Sequence, residues 1–393
     1  MTTDLVTSEN IALKPKPPVG AGSPVKVLIV SGSLRDSGAE SMAVALANAL
    51  DMEGLEVYFA SASGATRDGL DRRIHFLPTD NSTSAPSRVT HELLLYIKHH
   101  RFDVIHAHGG STALLVALAA RASHVPSVRV LTHDTRVFRR APRWVSAPVM
   151  NRCADHFVAI NPDRQADLES LGIRADRISV IPAFADVDAV ATFVAGIERG
   201  PTLRSIGVPE GARVLMMAGP VTAAKRCDNF IRIAAEVARR QGDREVHALV
   251  AGEGPDLDLA RRVAEREGAP AKIHFLNYQR DRLRFLAAVD VVVLPSERAE
   301  ALPAFLIEAS AAGRPIVCSG VPVHREIVTD GETGRVVSGG IAEYAAAIIG
   351  LLQHPETGAL YAYAAQRRAQ LQFDRPAVAR ATIAISRNLL NNK

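Results

Sequence analysis

The chain has 393 residues, room for two domains at ~100–200 residues each. With 47% hydrophobic and 22% charged residues it is not a disordered chain, and a net charge of +4 does not call for a nucleic-acid surface. Cys153, Cys227 and Cys318 are odd in number and far apart, which argues against a disulfide framework or a cysteine metal site and fits a reducing, cytoplasmic setting.

Residues 1–24 read as a flexible tail, because Lys-Pro-Lys-Pro-Pro and Gly-Ala-Gly-Ser-Pro interrupt any helix. The tail lacks the apolar run of a secretory leader, and no stretch reaches the ~18 apolar residues of a spanning helix. Val25–Val30 (VKVLIV) predicts a buried strand, and SGSLRDSG a glycine-containing loop. A helix follows over 39–52, with Met42, Leu46 and Leu50 on one face and Gly54 as its stop. Val57–Ala60, Asp103–His106 and Val128–Thr132 predict further strands, others end at Val158 and at Val180-Ile181, and Ser111–Arg121 is a small-residue helix. The alternation pauses near Ile197–Ala212, where Gly200-Pro201 and Pro209-Glu210-Gly211 suggest a linker. A second series comprises Val214–Met217, Val246–Val250, Lys272–Phe275, Val289–Leu294 and Ile316–Cys318. The expected fold class is α/β, with two tandem doubly wound parallel sheets facing across a cleft. The expected limits are 25–195 for the first domain, 196–212 for the linker, 213–375 for the second domain and 376–393 for a C-terminal helix.

The segment with most chemistry is Leu294–Gly320, LPSERAEALPAFLIEASAAGRPIVCSG. Pro303 suits the start of a helix and Gly313 its end. That helix is apolar on nearly every side, so it should be buried, and its carboxylate, Glu308, must then find a partner. A ribose diol would serve; so would a nearby arginine or backbone group. The first-turn N–H groups around Leu302, Ala304 and Phe305 form an anion site. A diphosphate there, its ribose on Glu308 and a sugar near Glu300 would make one extended ligand.

Glu300 and Glu308 are separated by seven residues, and the segment resembles the E-x7-E motif of family-4 retaining glycosyltransferases with the GT-B fold. VAGEGP (250–255), FLNY (275–278), VDVVVLPS (289–296) and EIVTDGETGRVV (326–337) are similar to that family's second domain, in order and spacing. Ser37-Gly38-Ala39-Glu40, FDVIHAH (102–108) and VIPAFAD (180–186) resemble its first domain more loosely. The resemblance implies that Glu308 holds the nucleotide's ribose, that Glu300 faces the donor sugar, and that Lys225, six residues after Gly219, meets the diphosphate. It sets His133 beside the anomeric carbon and Gly38, Gly219 and Gly254 around the donor, and Arg226, next to Lys225, is a further donor-binding candidate. It further implies a hexose moved from a UDP- or GDP-sugar to a glycan, lipid-linked or small-molecule acceptor, without cofactor or metal, and a C-terminal helix that crosses back to the first domain. No protein nucleophile is assigned.

The chain departs from the family at Pro220 (usually arginine), Ala301 (usually glycine) and Ala183-Phe184 (usually Asn-Gly). Arg226 could compensate in part for Pro220. These departures keep open a catalytically lapsed GT-B protein that binds nucleotides or partners. SGSLRDS (31–37) also resembles the phosphate loop of NADPH-dependent flavin reductases, which would imply FMN, but it is a single motif. His106 and His108, at i and i+2, read as loop-end or core residues, Asp186-Val187-Asp188 as a chance D-x-D triplet, and Gly252–Pro255 as a tight strand-to-helix turn. TRVFRRAPRW (135–144) is basic with interleaved aromatics. Its Arg136, Arg139, Arg140 and Trp144 could meet a lipid-diphosphate acceptor or the inner face of a membrane, or form a solvated loop.

Overall fold

The computed structural model describes residues 25–31, 38–62, 69–79, 86–125, 129–133, 151, 154–182, 184–242, 245–268, 271–276, 282–297 and 304–391. The first half contains β1 (Lys26–Ser31), α1 (Gly38–Met52), β2 (Glu56–Ser61), β3 (His75–Pro78), α2 (Pro86–His100), β4 (Val104–His108) and α3 (Gly110–Ser123). It continues with β5 (Arg129–His133), β6 (His156–Ala159), α4 (Pro162–Ser170) and β7 (Ile178–Val180). These strands form one sheet in the order β3-β2-β1-β4-β5-β6-β7, with every pairing parallel.

Helices α5 (Val187–Ala195) and α6 (Arg199–Arg204) lead to the second half. Its elements are β8 (Arg213–Ala218), α7 (Cys227–Gln241), β9 (Val246–Ala251), α8 (Leu257–Arg266), β10 (Ala271–Leu276), α9 (Arg282–Leu286) and β11 (Val291–Leu294). Then come α10 (Ala304–Ala311), β12 (Ile316–Ser319), α11 (Pro322–Ile327), β13 (Arg335–Val337), α12 (Ile341–Gln353), α13 (Pro355–Gln372) and α14 (Arg375–Asn391). The second sheet runs β10-β9-β8-β11-β12-β13, again all parallel.

Helices cover both faces of each sheet, so the strands are apolar runs, not alternating ones. The period of two still decides which face each residue serves. Along β8, Val214 and Met216 join the core of α5 and α10, whereas Leu215 and Met217 join that of α7 and α12. Along β1, Val27 and Ile29 pack with Val44 and Leu46 of α1, and Leu28 and Val30 with Leu93 and Ile97 of α2.

The structure adds three details to the sequence reading. The 196–212 segment, expected as the linker, contains α6, and its Leu203, Val208 and Ala212 are buried. Together with Val187, Val190 and Val194 of α5 they belong to the second half's core, so packing changes sides before Val187. The strand expected from Val289 begins at Val291, because Asp290 turns its carboxylate to accept from Val214 N at 2.7 Å and Arg199 Nη2 at 3.0 Å. The sheets also gain β3 and β13, edge strands too short to leave a period in the sequence.

The chain passes between the halves twice, side by side. Ala185 N donates to Phe373 O and Arg375 N to Ala185 O, each at 3.0 Å. Arg375 pairs with Asp186 at 2.9 Å, and Asp186 caps α5 by accepting from Ala189 N. The Asp186-Val187-Asp188 triplet thus has a structural explanation. Helix α14 packs on α1 and buries Val378 and Ile383 among the first half's core residues.

Candidate functional site

Each sheet reverses its strand order beside its own first strand, at β1/β4 and at β8/β11. Ligands of open α/β sheets bind outside the carboxyl ends of strands at such a switch point. In the second half, that point lies between the loop after β8, which carries Gly219 and Lys225, and the segment after β11, which leads to Glu308.

The first loop is held by backbone. Gly219 N donates to Ala251 O at 3.0 Å, Val221 N to Glu253 O at 2.8 Å and Asp256 N to Val221 O at 3.2 Å. This needs two glycines opposite. A Cβ on Gly252 would stand 1.9 Å from Gly219 O, and one on Gly254, at φ +159°, would stand 2.2 Å from Val221 O. Gly254 therefore lets the turn after β9 approach the loop after β8.

Lys225 is only 7% exposed and lies just before α7. Near its charge is His324 of α11, whose Nδ1 is 3.0 Å from Ser319 Oγ. Burial, helped by the field of Lys225, pushes His324 down to about 4, so the imidazole is neutral at pH 7. The imidazole near the lysine therefore adds no second positive charge there. Arg226 has several partners within the protein. It sits in the left-handed region at φ +54°, and its guanidinium binds Asp228 at 3.1 Å, Glu297 at 3.0 Å and Asn229 at 2.9 Å. With Glu297 N donating to Ala224 O at 2.9 Å, it clips the loop after β11 onto the lysine loop. Its pKa rises, chiefly through the bond to Asp228.

Glu308 is buried, on a helix whose other residues from Phe305 to Ala311 are buried too. Burial pushes its carboxyl up, against the downward pull of Arg282. Arg282 Nε donates to Glu308 Oε2 at 2.9 Å and Arg282 Nη2 donates to Oε1. Of the partners the sequence offered for Glu308, the nearby arginine is thus present. Ala304 and Phe305 form the first turn of α10, where N–H groups lack intrahelical acceptors. Glu300, Ala301 and Leu302 lie outside the described residues.

On the facing half, His133 ends β5 in register with His108 of β4 and Val158 of β6, at the carboxyl edge of the sheet. Gly38 opens α1. His106 and His108 are buried, as core histidines would be. Arg136, Arg139, Arg140 and Trp144 lie outside the described residues, as does loop 32–37, on which the flavin alternative rests. Among the described residues no helix is long and apolar enough to cross a membrane.

One contact between the halves was not anticipated. Asn161 caps α4, its Oδ1 accepting from Arg164 N at 2.8 Å, and its amide also hydrogen-bonds the Glu326 carboxylate of α11. Burial pushes Glu326 up to about 7; Asn161 opposes this and Asp163 adds to it. An unfolded glutamate titrates near 4.5, so between about 4.5 and 7 the folded chain binds more protons and this carboxyl makes stability fall as pH rises. Glu326→Gln should flatten the melting temperature between pH 5 and pH 7.5 relative to wild type. An unchanged slope would remove Glu326 as its source.

Two family models match successive parts of the chain: Glycosyltransferase Family 4 over residues 37–189 and Glycosyl transferases group 1 over residues 200–368. D-inositol 3-phosphate glycosyltransferase 2 of Catenulispora acidiphila is 29% identical over 275 residues, covering 65% of this chain and 63% of that protein. UDP-Gal:alpha-D-GlcNAc-diphosphoundecaprenol alpha-1,3-galactosyltransferase of Escherichia coli is 24% identical over 274 residues, covering 66% of this chain and 70% of that protein. The chain therefore spans less than two thirds of the length of the first of these relatives. Among solved structures, Anabaena Alr3699/HepE in complex with UDP and glucose shares the fold at a TM-score of 0.77 and 20% identity, over 92% of this chain and 99% of that one. WaaG, a glycosyltransferase involved in lipopolysaccharide biosynthesis, does so at 0.70 and 15%, over 94% and 100%. Two parallel sheets, each reversing at its own switch point, and two glycosyltransferase models in tandem place this chain among the family-4 glycosyltransferases of the GT-B fold.

Proposed function

We propose that the chain moves a hexose-type sugar from a nucleoside-diphosphate sugar (a UDP- or GDP-sugar) to a glycan, lipid-linked or small-molecule acceptor, with retained anomeric configuration and without a metal. The observation that carries this reading is the pairing, across the β8/β11 switch point, of a buried lysine with a helix bearing a buried carboxylate. Cleavage of the sugar–phosphate bond leaves negative charge on the departing diphosphate. Lys225 and the N–H groups of Ala304 and Phe305, with Leu302 before them, stabilise that charge as it grows. Glu308 holds the ribose, Glu300 the donor sugar, and His133 faces the anomeric carbon from the other half. Gly38, Gly219 and Gly254 allow backbone to come close to the donor. The acceptor proton leaves with the diphosphate oxygen, so no protein nucleophile is needed.

In this reading the domains meet near residues 185 and 374, and the acceptor is met by the basic segment that carries Arg136, Arg139, Arg140 and Trp144, at the inner face of a membrane. One observation favours the lapsed alternative. The guanidinium of Arg226, the candidate to compensate for Pro220, already pairs with Asp228 and Glu297 and would have to share these bonds with a phosphate.

A thermal-shift panel with UDP, GDP, ADP, their sugar conjugates and FMN tests the assignment. A ligand at 100 times its Kd adds about 2.7 kcal/mol of stability. One nucleoside diphosphate should raise the melting temperature of the wild type, and Glu308→Ala should remove the shift. A shift with FMN alone would sink the proposal. A nucleotide shift without turnover on any acceptor would favour the lapsed protein.

A further inference from the structure

A carboxylate is an uneasy occupant of α10. Glu308 is 8% exposed, and the residues around it on the helix are apolar and buried. Left alone in such a place, a glutamate takes up a proton and loses half its use as an acceptor. The partner that opposes this comes from 26 residues earlier in the chain. Arg282, at the start of α9, offers two parallel donors, Nε to Oε2 at 2.9 Å and Nη2 to Oε1. A guanidinium fork of this kind uses one lone-pair site on each oxygen, and an ionised carboxylate has about four. One site on each oxygen is left for two further donors, and the vicinal hydroxyls of a ribose are two donors on adjacent carbons.

We propose that Arg282 is a positioning residue for the nucleotide: it fixes the Glu308 carboxylate so that its remaining lone pairs accept the two ribose hydroxyls. The proposal rests on the ribose role of Glu308 given above. Arginine and ribose then bind the same carboxylate together and do not compete for it. Among the described residues, the other helices against α10 carry charges that are directed elsewhere. Asp188 of α5 is exposed, Arg325 of α11 donates to Gly320 O, and Arg368 of α13 donates to Glu326 O. Arg282 is the charge that offsets the burial of Glu308.

The role differs from mere structural support in its pH dependence. Without the arginine, burial alone acts on Glu308 and pushes its carboxyl further toward the protonated form. Nucleotide affinity should then rise with pH as the carboxyl ionises unaided.

Calorimetric titration of the full chain with UDP and with GDP from pH 6.5 to 8.5 tests this, each variant being compared with wild type at the same pH. Arg282→Ala should weaken binding by about tenfold or more at pH 7, with the deficit shrinking toward pH 8.5. Arg282→Lys keeps the charge without the fork and should recover part of the loss. Glu308→Gln should bind weakly without that recovery at high pH. Arg282→Ala/Glu308→Gln should match Glu308→Gln alone, because the arginine acts through the carboxylate. The double variant buries no unpaired charge, so together with Arg282→Lys it carries the test if Arg282→Ala folds poorly. Wild-type affinity in Arg282→Ala at every pH would overturn the proposal. Tighter binding would also overturn it, by showing that arginine and ribose compete, and so would a double variant weaker than Glu308→Gln, by placing Arg282 on the nucleotide itself. If Glu308→Gln binds like wild type, or wild type binds neither nucleotide, the ribose reading falls first and this proposal with it.

Discussion

Replacing Lys225 with methionine should lower kcat for sugar transfer by about 10²- to 10³-fold, the loss seen when one preorganised donor to a developing charge is removed (about 2.7–4 kcal/mol). Methionine fills most of the lysine's volume, so the chain should stay folded. The side chain is 7% exposed, so its charge is poorly screened by water, and the histidine near it is neutral at pH 7. Charge on the diphosphate is greater in the transition state than in the bound donor. The effect should therefore fall mainly on kcat, with donor KM rising less than about tenfold. Steady-state kinetics on the donor identified by thermal shift decide the matter. A variant whose kcat is within a factor of a few of wild type would take Lys225 off the leaving group.

Gly252→Ala should lower stability by about 3 kcal/mol and abolish nucleotide binding together with it. The new methyl carbon would meet Gly219 O at 1.9 Å, a contact that no rotamer can relieve because both partners are backbone. Either the turn after β9 or the loop after β8 must move. The latter carries Lys225 and is tied to the former by the bonds Gly219 N→Ala251 O and Val221 N→Glu253 O. Gly211→Ala is the control: a Cβ there meets nothing within 4 Å, and the change should stay within about 0.5 kcal/mol. Urea midpoints and the nucleotide thermal shift, measured on both variants, read the two effects. If Gly252→Ala melts with the control, the close approach of the two turns is not what holds the loop.

The approach of these turns shows how far sequence reasoning carries. VAGEGP is legible as a glycine turn after a strand, and the chain position of Gly254 suggests a place near the donor. That the two glycines serve a neighbouring backbone follows only from the register that sets β9 beside β8. Arg226 is the same lesson with opposite sign. Its place beside Lys225 suggests a donor contact, and only the fold shows that the loop after β11 closes onto it and pairs its guanidinium with carboxylates. Arg282 carried no signal at all, since its partner is 26 residues away and no local period joins them. At the linker, Gly and Pro mark breaks in regular structure without saying what the pieces pack on; Leu203 and Val208 are apolar residues whose destination the local pattern does not specify.

By itself the sequence determined what depends on neighbours in the chain. Runs of β-branched residues between helices of one buried stripe dictate two parallel sheets, because strands covered on both faces must be apolar throughout. The apolar helix around Glu308 dictates a buried carboxylate that needs a partner, and Gly313, at φ +63°, ends that helix as its position suggested. Only the tertiary structure decided which groups that are distant in sequence meet: Arg282 with Glu308, Glu326 with Asn161, and α14 with α1. Such meetings are set by strand order and helix docking, where the free energy of burying whole faces outweighs any single pair, so a local pattern of residues carries no record of them.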